Sequence, residues 1–408
     1  MNTRSAASVA ATLLALSLAA GPAASATELT TKIIPLPMYS TVPNEGSTYG
    51  LMPVFFRTEN AGGFTDVVGG ATGAVHSIIA PSLSWNSQAG VTGSFRYYRY
   101  LDPMRSWSLV ISASTHINRT IWWTYDNITR VPHAQTHDAV VMVRRNLFFR
   151  FFGLGPDTPS SGEYSYTRTT ATMNDRWGYN FTPNLNLGGY GELRGDRLEK
   201  HPVFGLPATQ DAYPDAPGID GAAMVRAGTT LRFDTRVNGD YSLAGLASEL
   251  AFYIAYGIGS GGLFEQLTWH SRAIIPETDF MQTAARVYWT QEWGGSNVPF
   301  YYRPSLGGEL MLRGYPDDRF IAFGAWTAEV EQRIRFLQLN LFNVISDWRV
   351  DPFLAVGQVY DKLDLFSHVR VTGGIGLRAW VHPSVLGRID LAVSDDGFHA
   401  YVVLGYPF

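Results

Sequence analysis

The chain contains no cysteine, which excludes disulfide staples and thiolate metal sites. Charge is scarce as well: Asp, Glu, Lys and Arg together make up 16% of the 408 residues, against about 25% in ordinary soluble domains. The formal net charge of −4 leaves no basic surface for nucleic acid. Past residue 20 there is no uninterrupted apolar run of the length a membrane helix needs. The one such run, Ala10–Ala20, is short, follows the basic start Met1–Arg4, and precedes the small-residue site Ala24-Ser25-Ala26. That order is the layout of a secretory signal, with cleavage after residue 26.

What the chain has in quantity is rings and glycine: aromatics reach 13%, with 41 glycines. A surface poor in charge and rich in rings fits lipid better than water. Without helical spans, the structure that reconciles these facts is a closed β-barrel, in which only alternate side chains meet lipid.

The C-terminus carries the alternation most plainly. In GFHAYVVLGYPF, Phe398, Ala400, Val402, Leu404, Tyr406 and Phe408 share one face; in GRIDLAVS, Ile389, Leu391 and Val393 oppose Arg388, Asp390 and Ser394. In SWSLVISASTHI, Trp107, Leu109, Ile111 and Ala113 alternate with serines and His116, and Trp122, Trp123 and Tyr125 follow as a candidate interfacial girdle. Read this way, the sequence predicts an all-β transmembrane antiparallel barrel of 16 strands, from 48–57 to 397–408, with 105–124 as a single strand. The domain reading is a signal peptide at 1–26, a short extended periplasmic leader at 27–47 containing Pro35 and Pro37, and the barrel at 48–408. The expected location is the bacterial outer membrane.

No catalytic constellation is legible. GIGSGG at 257–262 has the spacing of a dinucleotide loop but ends a strand with no helix after it, and reads as a turn. His133 and His137 lie beside Asp138 in a loop, which is a weak basis for a metal site. The expectation is a protein that is not an enzyme and needs no metal or cofactor.

One loop stands out. GGELMLRGYPDDRF at 307–320 places Arg313 before Gly314 and Tyr315, and further stretches accompany it in order: FFGLGPDT (151–158), LRFDTR (231–236), EVEQRI (329–334), FLAVGQVYD (353–361) and GGIGLRAW with the Phe408 ending. Together these resemble the BamA/TamA superfamily, the bacterial surface antigen family of outer-membrane assembly and secretion barrels.

The resemblance implies that the loop, between strands 11 and 12, folds into the lumen and that Arg313 meets carboxylates on the inner wall of the following strands. In WTAEVEQRIRF the inward parity falls on Glu329 and Glu331, with Glu331 matching the family's acidic position. The chain departs from the family at Ala355, where an acid is common, which leaves Glu329 to replace it. The resemblance also implies a weak seam between the first and last strands, at Tyr49 and Phe55 on one side and Gly405 and Phe408 on the other. The best-known members carry POTRA domains that receive clients, and the 27–47 leader is too short for one. The expected partners are outer-membrane lipid and client outer-membrane proteins or a partner subunit. A passive barrel that anchors a partner or forms a homo-oligomer is the alternative reading.

Overall fold

The computed structural model describes residues 29–59, 75–102, 104–237, 242–258, 261–341, 344–381, 385–404 and 407. The strands are β1 (Leu29–Val42), β2 (Gly46–Glu59), β3 (Val75–Asn86), β4 (Gly90–Asp102), β5 (Arg105–Ser114), β6 (Arg119–Asn127), β7 (Gln135–Phe151), β8 (Tyr164–Asn180), β9 (Leu185–Glu199) and β10 (Ala222–Asp234). They continue with β11 (Gly245–Ile258), β12 (Gly262–Thr278), β13 (Met281–Gly294), the short β14 (Ser305–Leu306) and β15 (Phe320–Ile321), then β16 (Gly324–Leu341), β17 (Val344–Tyr360), β18 (Arg370–Val381), β19 (Val385–Ser394) and β20 (Gly397–Leu404). All but β14 and β15 join one 18-stranded antiparallel sheet that closes on itself.

The strand count of 16 is therefore corrected to 18, and both errors have a local cause. Residues 29–42, within the stretch read as a leader, form β1 and pair with β2 along their whole length, from Leu29↔Glu59 to Val42↔Gly46. Pro35 and Pro37 suggested an extended tail, but the φ that proline fixes is compatible with a strand, and proline is tolerated near a sheet edge. Residues 105–124, read as one strand, bend at Thr115–Asn118 into β5 and β6, where the Ser114 amide donates to the Asn118 carbonyl at 3.0 Å. This turn lacks glycine and proline, so nothing in its composition announces it. With two more strands ahead of it, the long loop lies between the thirteenth and fourteenth barrel strands, β13 and β16, instead of the eleventh and twelfth.

The outer face is apolar: Leu51, Leu83, Phe95, Ile111, Ile121, Leu193, Ile254, Leu354, Ile375 and Leu391 are all exposed. A ring of exposed aliphatic side chains is stable only against lipid. Among the described residues no helix is long and apolar enough to cross a membrane. Of the proposed aromatic girdle, Trp123 and Tyr125 share the face of Leu109 and Trp107, with which they pair. Trp122 falls on the opposite face, paired with Val110, because neighbouring residues of a strand cannot point the same way.

Inside, loop 295–323 fills the lumen. Its Leu306, Leu312, Tyr315, Phe320 and Ala322 pack on Ala325, Ala355 and Val359 of the wall, and its Phe300 and Ile321 join Phe151, Tyr166 and Leu198. The small ribbon β14–β15 gives the loop a hydrogen-bonded stem. Apolar packing holds the plug against β16 and β17 on one side and β7, β8 and β9 on another, which brings its tip to the charged residues described next.

Candidate functional site

The tip of the plug is built around Arg313. Leu312 adopts φ +55° and Gly314 φ +110°, left-handed values that aim the arginine between them at the wall. Such a conformation costs a residue other than glycine about 1–3 kcal/mol, so the surroundings must hold it in place. They do so through the backbone. The Gly314 amide donates to the Tyr401 hydroxyl at 3.1 Å, that hydroxyl donates to the Tyr315 carbonyl at 2.8 Å, and Thr372 and Ser394 donate to the carbonyls of Arg313 and Gly314. The Tyr315 hydroxyl bonds Asp395, and Arg319 binds Asp396 and the Thr158 carbonyl, the latter at 2.8 Å.

The Arg313 side chain is completely buried. Its guanidinium pairs with Glu329, with Glu331 at 3.0 Å and with Asp390 at 3.1 Å. It lies over Phe353, 3.5 Å from the ring centre, a cation–π contact strengthened by burial. Burial opposes the charge on Arg313, but Glu329, Glu331 and Asp390 outweigh it and keep the guanidinium protonated more firmly than in water.

Around this pair of faces the wall supplies further arginines. Arg286 pairs with Glu329 at 2.6 Å, Arg333 with Glu331 at 2.9 Å, and Arg388 with Asp390 at 3.4 Å. Arg378 reaches Glu331 at 3.2 Å, Asp351 at 3.1 Å and Asp390 at 2.7 Å. Glu329, Glu331 and Asp390 thus each have more than one cation, at positions buried from solvent. Arg286 also donates to the Pro407 carbonyl at 3.1 Å, so the end of the chain reaches the same cluster inside the lumen.

The structure brings together Arg313, Gly314, Tyr315, Glu329 and Glu331. Ala355 stands opposite Glu329 in the ladder, and the third acid comes from Asp390, two strands further on. Asp351, Asp390, Arg286, Arg378 and Phe353 escaped the sequence reading as members of the site. The available signal was their charge: in strands that are otherwise apolar and small, Asp351, Arg378, Arg388 and Asp390 occupy inward positions.

The seam is formed by β1 and β20, which share one residue pair among the described residues, Thr41↔Val402. Tyr49 and Phe55 lie in β2, one strand away from it, which corrects their placement on the closing edge; the first strand begins at Leu29, 19 residues before the range 48–57. Gly405 and Phe408 lie outside the described residues, as does the signal segment at 1–26. His133 and His137 are separated by their partners, Tyr179 at 2.9 Å and Asp175 at 2.6 Å, and no group of three metal-ligating side chains occurs among the described residues.

The sequence matches no protein-family model and no curated protein. Solved structures do match. BamA from Haemophilus ducreyi, in a form lacking POTRA domains 1–3, aligns with a TM-score of 0.55 and 14% identity over 98% of this chain and 78% of that one. CdiB from Escherichia coli aligns with a TM-score of 0.50 and 10% identity over 94% of this chain and 64% of that one, so the chain spans less than two thirds of its length. The closed antiparallel wall, the apolar exterior and the plug drawn inward by a buried arginine are thus parts of one architecture: this chain has the fold of the bacterial outer-membrane barrels BamA and CdiB.

Proposed function

We propose that this barrel assists the assembly or translocation of proteins at the outer membrane by opening its seam, while Arg313 locks the plug to the wall. The observation that carries the proposal is that, among the described residues, the single pair Thr41↔Val402 joins β1 to β20, while the neighbouring ladder of β1 with β2 runs the length of both strands. β1 extends over 14 residues and β20 over 8. Among the described residues most of the β1 edge thus has no ladder partner on β20, and each backbone hydrogen bond left unmade there withholds about 0.5–1.5 kcal/mol. An unpaired edge is a template for a strand of another chain. A passive barrel needs a complete seam, which is why that reading is set second.

The test uses the absence of cysteine. Opposed antiparallel residues stand about 4.5–5.5 Å apart at Cα, within disulfide reach, so Thr41→Cys with Val402→Cys can close the seam reversibly. The purified variant is placed in phospholipid vesicles, and folding of a small urea-unfolded outer-membrane barrel is followed by its shift on a gel. The reduced form should speed folding over empty vesicles and the oxidised form should not. Equal rates with the bridge open and closed would remove the seam from the mechanism, and no acceleration by either form would favour the passive barrel.

A further inference from the structure

Away from the Arg313 cluster, a cavity of about 180 Å³ opens inside the barrel against β7, β8 and β9, with Met142, Arg144, Phe149, Arg168, Glu192 and Arg194 in its lining. Its acids are already engaged. Asp196 next to it takes Arg194 at 2.7 Å, the Tyr302 hydroxyl at 2.9 Å and the Thr170 hydroxyl. Glu192 takes Arg226 at 2.5 Å, the Tyr190 hydroxyl at 2.9 Å and the Thr172 hydroxyl at 3.2 Å.

Two of its cations are not engaged in the same way. Arg168 lies over the Phe149 ring, 3.9 Å from its centre. Its one ion pair, to Asp196, is 3.6 Å long, beyond a hydrogen bond, and its Nε is buried without an acceptor. Arg144 forms no hydrogen bond or ion pair with any described residue and is exposed to the cavity's space. Two guanidinium groups thus face one void, neither held by a close carboxylate. An oxyanion between them would engage both, since the planar N–H fork matches carboxylate and phosphate oxygens.

The rest of the lining is apolar, from Met142 and the edge of Phe149, and the volume exceeds the roughly 150 Å³ that admits benzene in an apolar cavity. We propose that this cavity binds a small organic oxyanion, an aromatic or short aliphatic group carrying a carboxylate or phosphate. The guanidinium groups of Arg144 and Arg168 would hold the oxygens, and Met142 and Phe149 the hydrocarbon.

The test is titration calorimetry on the folded barrel in zwitterionic detergent, with phenyl phosphate as probe and inorganic phosphate and phenol as its two halves. Phenyl phosphate should bind saturably, and either half at least about tenfold more weakly. Arg144→Gln and Arg168→Gln should each weaken it by about tenfold or more, the loss of one charge-assisted pair, while Arg105→Gln on a distant turn should leave it unchanged. Because Arg144 has no close partner to lose, Arg144→Gln should keep its folded migration on an unheated gel. Absence of saturable binding, or equal binding by the folded Arg144→Gln barrel, overturns the proposal; inorganic phosphate binding as tightly as phenyl phosphate overturns its apolar half.

Discussion

Replacing Arg313 by alanine is the most direct test of what holds the plug. The side chain gives up ion pairs with Glu329, Glu331 and Asp390 and its place over Phe353. Removing one partner of a buried ion pair costs about 3–5 kcal/mol. The lower end applies, because Arg286 remains with Glu329, Arg333 and Arg378 with Glu331, and Arg378 and Arg388 with Asp390. The lost cation–π contact adds about 1–2 kcal/mol, partly offset by release of the left-handed Leu312. A net loss of about 3 kcal/mol raises the undocked population more than a hundredfold, since each 1.4 kcal/mol is about a factor of ten. Limited proteolysis of the folded barrel should then cut within 295–323 that much faster when opening is rapid, with the wall still intact on an unheated gel. Arg313→Lys should fall between, as an ammonium keeps the charge but not the fork or the flat stacking surface. Pairing Arg313→Ala with Glu331→Gln should give less than the sum of the two, because the second change removes an acid that the first has left short of a cation. Unchanged cleavage in Arg313→Ala would refute the lock, and strict additivity would refute the pairing.

Two further changes probe the same tip. Gly314→Ala should loosen the plug by about 1–3 kcal/mol, read by the same proteolysis, because φ is +110° there and the new methyl carbon would stand 2.5 Å from the Thr372 hydroxyl. Asp317 has its pKa raised from 3.8 to about 7 by burial and by its neighbours Asp318, Glu309 and Glu45. A carboxyl with a raised folded pKa contributes stability below its unfolded value and loses it as pH rises through the folded one. The wild-type melting temperature should therefore fall relative to that of Asp317→Asn from about pH 4 to about pH 7, most steeply at about 5.5, and level off above it; parallel curves for the two proteins would count against it.

The strands were legible where one face was uniformly apolar, as in Ile389, Leu391 and Val393, because a period of two has one common cause in a half-buried sheet. β1 was not, since Pro35 and Pro37 obscure its pairing potential, and the break at Thr115–Asn118 was not, since its residues fit a strand as well as a turn. The partners Glu329 and Glu331 were accessible because they share a strand and a parity. Asp390 and Asp351 could be placed on the inner face but not assigned to Arg313 and Arg378: which inward charges meet across a lumen depends on strand number and stagger, and neither is written in any one segment.

The anchors of the plug are distributed unevenly around the wall, with a mechanical consequence. At the Arg313 tip they fall on β13, β16, β17, β18, β19 and, through Tyr401, on β20, so these strands form a braced arch around the tip, while β7, β8 and β9 hold the rest of the plug from another side. On the other flank of the opening, the ladder between β2 and β3 skips from Leu51 to Phe55, leaving a soft fold line just behind the leading hairpin. On the proposed opening of the seam, the hairpin of β1 and β2 would swing as the door with the arch as its frame, while the plug keeps its seat in the lumen.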